Sequence, residues 1–203
     1  MTRVLVATRS AGKLGELLDL LAPTGLVVVD LRQAGIPEAP HEEAIECFDR
    51  FEDNALAKAR HFYGIAGIPT LADDSGLAVD ALGGRPGVRS KRFSGRTDLT
   101  GAALDAANNT LLQAELAPHA DRSARYVCAA AYVDDERELV TRGEALGTIL
   151  ESPRGSGGFG YDPFFLSSEL GRTFAEVERA EKAGVSHRGR AFRALIEAVL
   201  ARR

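Results

Sequence analysis

Residues 3–21 read RVLVATRSAGKLGELLDLL, and this stretch decides the fold class. Arg3 to Thr8 has the length and apolar character of a strand, while Leu14, Leu17, Leu18 and Leu21 recur at the three- and four-residue spacing of a helix face. Between them lies a polar turn, so the chain opens as strand, loop and helix. Leu26 to Leu31 reads as a second strand. Gly35 to Glu43, rich in Gly, Pro and acids, reads as a surface connection with little structure of its own. Phe48, Phe51, Ala55, Ala59 and Phe62 mark an amphipathic helix that starts near Asp49, with Asp49 and Glu52 matching an N-cap and third-position pair. Ile68 to Asp73 is an apolar run ending in acid. Ser75 and Gly76 are expected to turn the chain before a further strand-like run from Leu77 to Leu82. Leu99 to Leu116 suits a helix, and Tyr126 to Val133 and Leu139 to Leu150 suit strands joined through Asp134, Asp135 and Glu136. A Gly-rich loop from Gly155 to Gly160 follows. Ala191, Leu195 and Val199, with Phe192 and Ile196, then give a helix after His187. Alternating strands and helices imply a layered α/β architecture, and no internal repeat or break in composition divides residues 1–203 into independent domains.

Composition excludes several function classes. The 203 residues carry 25 Lys and Arg against 29 Asp and Glu, a net charge of -4. No overall positive field therefore favours a nucleic-acid backbone. Phosphate recognition has to come from local Lys and Arg, backbone N–H groups or a divalent cation. The two cysteines, Cys47 and Cys128, and the four scattered histidines lack zinc-site spacing. The apolar run at the N-terminus is too short for a signal peptide, and no stretch approaches a membrane span, so the expected location is the cytoplasm.

Four clusters carry candidate chemistry. The first is Thr8, Arg9, Ser10, Ala11, Gly12 and Lys13, between the opening strand and helix. Helix-start N–H groups and an ammonium there can hold phosphate oxygens; alternatively Ser10 merely caps the helix and Lys13 faces water. This is not a P-loop, because Lys13 is followed by Leu14. The second joins Asp53, Asn54 and Lys58 on the helix near Asp49 to Asp73 and Asp74 at the end of the apolar run. Asp53 and Asp74 could share magnesium with substrate phosphates, and two adjacent acids are costly to bury without such a partner. The competing readings are a solvated helix face and an acidic turn. A third, the basic loop from Gly83 to Arg92, either meets a charged substrate group or is an exposed connection.

The last cluster lies in the C-terminal part. Gly155, Gly157, Gly158 and Gly160 surround Phe159, ahead of Tyr161, Asp162 and Pro163. Small residues beside a ring let a flat base approach and stack, although a tight hairpin with Phe159 in the core fits the same pattern. Lys182, His187 and Arg188 are donors suited to an oxygen-rich base edge; otherwise Ser186 caps the terminal helix and His187 is exposed.

Taken in this order, the clusters closely resemble the inosine/xanthosine triphosphate pyrophosphatase family over nearly the whole chain. The resemblance rests on Thr8 to Lys13, on Phe51, Asp53, Asn54 and Ala55, and on Asp73, Asp74, Ser75, Gly76 and Leu77. Phe159 to Asp162, Lys182 and Ser186 to Arg188 complete it. It implies a mixed central sheet flanked by helices, two lobes around a substrate cleft, and a homodimer. It also implies hydrolysis of ITP, dITP and XTP to monophosphate and pyrophosphate with Mg²⁺. In that likeness the opening loop and Lys58 meet the phosphates, Asp53, Asp73 and Asp74 form the metal centre, and Asp74 activates water. Ser75 joins the substrate-binding set. Phe159 stacks on the base, Gly160 and Tyr161 line it, and Asp162, Lys182, His187 and Arg188 supply polar recognition. Two departures stand out: Ser10 replaces the usual Asn, and Asp53 replaces the usual Glu.

Overall fold

Val4, Leu5 and Val6 are at most 1% exposed, which places the opening strand in the middle of a sheet. In the computed structural model, which describes residues 3–201, this strand is β1 (Arg3–Val6). It pairs in parallel with β2 (Val27–Asp30) and with β3 (Thr70–Val79). Helix α1 (Ala11–Leu21) connects β1 to β2, and α2 (Phe51–Ala66) precedes β3. After α3 (Gly101–Leu116) come β4 (Ser123–Val133) and β5 (Glu138–Ile149), joined by the expected hairpin with Asp134 N–H donating to Arg137 O at 3.1 Å. β6 (Phe165–Ser167) pairs antiparallel to β5, and α4 (Arg179–Val185) and α5 (His187–Leu200) complete the chain. The six-stranded sheet has the order β2-β1-β3-β4-β5-β6 and is mixed, with flanking helices, as the family resemblance implies.

The chain forms two compact units, and the division falls inside β3, β4 and β5. Within the described residues, the first unit takes the chain up to Asp74, then Cys128–Gly143 and everything from Arg188. Its core packs Val4, Val6, Leu17, Leu21 and Leu71 against Ala191, Phe192, Leu195 and Val199, so the helical spacing read after His187 is the buried face of α5. The second unit, Ser75–Val127 and Glu144–His187, has its own core of Leu77, Val79, Leu112, Leu116, Ile149, Phe165 and Phe174. Among the described residues no helix is long and apolar enough to cross a membrane.

Three local expectations are corrected. The turn at Ser75 and Gly76 does not form, and β3 runs straight through Asp73, Asp74, Ser75 and Gly76. Successive strand side chains point to opposite faces, so two adjacent carboxylates can cross a sheet when each finds partners on its own side. Asp73 finds Lys13 and Arg188, and Asp74 finds Asn54. Second, α2 begins at Phe51, and Arg50 at its N-cap makes no side-chain cap bond, so Asp49 and Glu52 do not cap it. Third, the stretch Gly35 to Glu43 is tied down. Arg9 donates to Ile36 O at 3.0 Å and Pro37 O at 2.8 Å and forms a two-point pair with Glu42, beside a 3₁₀ turn at Pro40–Ala44.

Candidate active site

The opening loop is built by short-range bonds. Ser10 Oγ accepts from Lys13 N at 3.4 Å and caps α1, and Thr8 Oγ1 accepts from Ser10 N at 3.2 Å. The cap aims α1 so that Ala11 and Gly12 open its first turn and Lys13 turns inward. Lys13 Nζ stands 3.1 Å from Asp73 Oδ2 instead of facing water. Arg9, expected with the phosphate contacts, spends its guanidinium on the segment from Ile36 to Glu42.

Asp73 is fully buried. Burial alone raises a carboxylate's pKa, but the charges of Lys13, Arg188 and Lys58 outweigh it and hold Asp73 well below the usual carboxylate range. Arg188, 2% exposed, donates from Nε and Nη2 to Asp73 Oδ2 at 3.3 Å each, and from Nη1 to Glu16. Arg188, expected with the polar recognition set, has all three of its guanidinium nitrogens facing carboxylates. A guanidinium so deeply buried needs anions around it. The Cys128 thiol, also against Asp73, is pushed up by burial and by that carboxylate, so it stays protonated.

Asp74 behaves oppositely to its neighbour. Burial is the largest influence on it and Glu46 adds to it, while Lys13, Lys58 and the bond from Asn54 Nδ2 at 2.9 Å pull the other way; the result is pushed up to about 6. The same Asn54 side chain accepts from Phe48 N at 2.9 Å and donates to Phe48 O at 3.1 Å, which ties the segment carrying Glu46 to α2. Glu46 pairs with Lys58, whose side chain is only 12% exposed. Lys58 first, then Lys13, keep Glu46 ionised against its burial.

Glu46, which the sequence reading did not name, is thus the carboxylate paired with Lys58. Asp53 is exposed on α2, one residue from the fully buried Asn54 and hence about 100° around the helix axis from it. Nothing in the sequence pattern pointed to Glu46. It lies between a 3₁₀ turn and α2, where neither helical nor strand periodicity applies.

The second unit assembles the other candidates. Lys182 Nζ is 2.5 Å from Asp162 Oδ2 and lies 5.1 Å from the Phe159 ring centroid and 5.3 Å from that of Phe174. Asp162 also accepts from Phe159 N at 3.0 Å and from Tyr126 Oη at 3.2 Å. The His187 ring stacks on Tyr126 at 4.6 Å with an interplanar angle of 7° and is buried. Tyr161 is buried with its hydroxyl donating to Ser90 O at 2.8 Å, whereas Phe159 is half-buried and can offer a ring face. Gly158 permits this turn: its φ is +69°, and a Cβ there would collide with the Asp162 carboxylate. Ser75, inside β3, belongs to this unit. In the basic loop, Arg85 pairs with Glu115 at 2.8 Å and Gly87–Arg92 forms a 3₁₀ turn.

A family model described as the Ham1 family matches residues 4–198. A dITP/XTP pyrophosphatase from Ralstonia nicotianae is 49% identical over 200 residues, covering 97% of this chain and 96% of that protein. A dITP/XTP pyrophosphatase from Frankia alni is 50% identical over 196 residues, with 95% of each chain covered. Among solved structures, a HAM1 protein from Coxiella burnetii superposes with a TM-score of 0.83 at 34% identity, covering 98% of both chains.

Proposed function

The chain belongs to the Ham1 family, and on that premise we propose that it hydrolyses noncanonical purine nucleoside triphosphates, ITP, dITP and XTP, to the monophosphate and pyrophosphate. The observation that carries this reading is Asp74, a buried strand carboxylate held by Asn54 Nδ2 at 2.9 Å and raised to about 6 by burial and by Glu46 against the charges of Lys13 and Lys58. A proton acceptor works best when its pKa lies near the working pH, and an ordinary aspartate is too weak a base. Asp74 takes the proton from the water that attacks the alpha phosphorus, and the bond to the pyrophosphate leaving group breaks. Lys13 and Lys58 face the charge that develops on the phosphate oxygens. Asp73 and Arg188 hold Lys13 and the strand beneath it in place. In the second unit, Phe159 stacks on the base, and Lys182, oriented by Asp162, donates to the oxygen at its six position; adenine carries an amino group there. The relatives' names support the substrate class.

Magnesium fits the donor set of the first unit. Glu46 raises the proton affinity of the buried Asp74, a conflict that a hard cation relieves. Among the described residues no three His, Cys, Asp or Glu side chains form a ready-made cation cage. Magnesium commonly combines one or two carboxylates with substrate phosphates. Glu46 and Asp74 would hold it, and it would supply charge neutralisation along the triphosphate. Glu46→Gln is expected to raise the magnesium concentration for half-maximal turnover severalfold, while Asp53→Ala leaves it at the wild-type value. Magnesium titrations of both variants decide this, and the reverse ranking would return the metal to Asp53.

The functional reading is tested with a nucleotide panel in magnesium, measuring pyrophosphate, orthophosphate and monophosphate for ITP, XTP, dITP, GTP and ATP. Pyrophosphate from the first three, well above ATP, is the expected result. Orthophosphate alone would show cleavage at a different bond. We also propose a homodimer, for which light scattering should give about twice the 21.6 kDa chain mass; a monomer at assay concentrations would refute it.

A further inference from the structure

Helix α3 carries side chains that bond well away from their own backbone. Asn109, 7% exposed, donates through its amide to Gly160 O at 2.9 Å and to Asp105 O at 2.9 Å. Asp105 Oδ2 accepts from Gly160 N at 2.8 Å. Gly160 is thus gripped at both its N–H and its C=O by two side chains one helical turn apart. It is the residue between Phe159 and Tyr161, its φ is +64°, and Asp162 follows two positions later. The neighbouring Asn108 is equally buried but serves another segment. Its Oδ1 accepts from Ser94 N at 2.8 Å, and its Nδ2 donates to Lys91 O at 3.0 Å.

The grip has a physical consequence. Phe159 is half-buried, with Lys182 Nζ 5.1 Å from its ring centroid and its N–H donating to Asp162 at 3.0 Å, so where its ring sits follows the backbone that carries it. A loop that must be ordered on binding loses affinity, and one already fixed to a rigid element does not. The bonds from α3 fix the peptide groups that set where Phe159 and Asp162 point.

We propose that Asp105 and Asn109 are positioning residues for base recognition, holding Gly160 so that the Phe159–Asp162 loop is preformed for a purine. This rests on the purine nucleotide reading above. Neither residue touches the base; both act through the backbone of Gly160.

The test compares Asn109→Ala and Asp105→Ala with Asn108→Ala and Asp105→Asn. Kinetics with ITP and ATP, IMP binding by calorimetry, and thermal melts are measured for each. Asn109→Ala and Asp105→Ala should raise KM for ITP about tenfold with kcat within about twofold, weaken IMP binding in parallel, and narrow the ITP-to-ATP ratio of kcat/KM. Asp105→Asn keeps an acceptor oxygen for the Gly160 N–H and should stay near wild type. Asn108→Ala should lose comparable Tm, because it removes equivalent buried bonds, yet keep the wild-type KM ratio. Equal losses for ITP and ATP, or the same KM shift in Asn108→Ala as in Asn109→Ala, would overturn the positioning role. Should Asn109→Ala fail to fold, Asp105→Ala at a half-buried position decides. A wild-type protein indifferent between ITP and ATP would instead overturn the purine reading, while the IMP-binding contrast between Asn109→Ala and Asn108→Ala still judges the grip on Gly160.

Discussion

Asp74→Asn is expected to lower kcat by about 10²–10⁴-fold, the usual loss when a positioned proton acceptor is removed. The fold should survive, because the Asn oxygen can still accept from Asn54 Nδ2 as the carboxylate does at 2.9 Å. Stability should even hold or improve at pH 7. Asp74 sits at about 6 in the folded chain, above the ordinary carboxylate range, so the folded state binds more protons between about 4 and 6. Folding is therefore weakened by this residue as pH rises through that window, and Asn removes the penalty. Single-turnover kinetics at saturating magnesium, paired with melts at pH 7, check both halves. Near-normal turnover by a folded Asp74→Asn variant would remove Asp74 from the chemistry.

Arg188→Met is expected to cost about 3–5 kcal/mol of stability, the range for removing one member of a buried ion group and leaving its partners unpaired. For a chain of this size that corresponds to a Tm loss of roughly 6–20 °C. Lys13 remains beside Asp73, so the low end is expected. The pH dependence follows from the sign of the Asp73 shift. Its carboxyl is held below the ordinary range, so the stability it contributes is present above the unfolded-state pKa of about 3.9 and is lost only as pH falls through the depressed folded value. Without Arg188 the folded value rises, and the variant regains ground on acidification as Asp73 takes up a proton. The Tm difference between wild type and variant should therefore be smaller at about pH 3, below the unfolded-state value, than at pH 7. A constant difference at both pH values would mean that Arg188 stabilises through packing and not through Asp73.

Both expectations depend on how a strand can carry Asp73 and Asp74 side by side. The sequence shows two acids after Leu71 and Ala72, and a turn is the ordinary way to keep such a pair wet. Tertiary partners made a strand affordable. Lys13 and Arg188 come from α1 and α5, and Asn54 from α2, positions far apart along the chain. The two carboxylates consequently acquire opposite proton affinities, one depressed and one raised, although they are neighbours in sequence.

The sequence by itself determined what short-range spacing controls. The α/β class, the capped α1 after β1, the β4–β5 hairpin and the buried stripe of Ala191, Leu195 and Val199 follow from periodicity and turn chemistry within a few residues. Lys13, Lys58, Asp74, Phe159, Asp162 and Lys182 were likewise legible as chemistry-bearing types. The tertiary structure alone decided which of them meet. It drew Glu46 from an irregular segment to Lys58, left Asp53 exposed on α2, and turned Arg9 and Arg188 to carboxylates. The reason is that a charge near the core is placed by its desolvation cost and by the counter-charges available in space, and those depend on contacts between distant segments, which local periodicity does not encode.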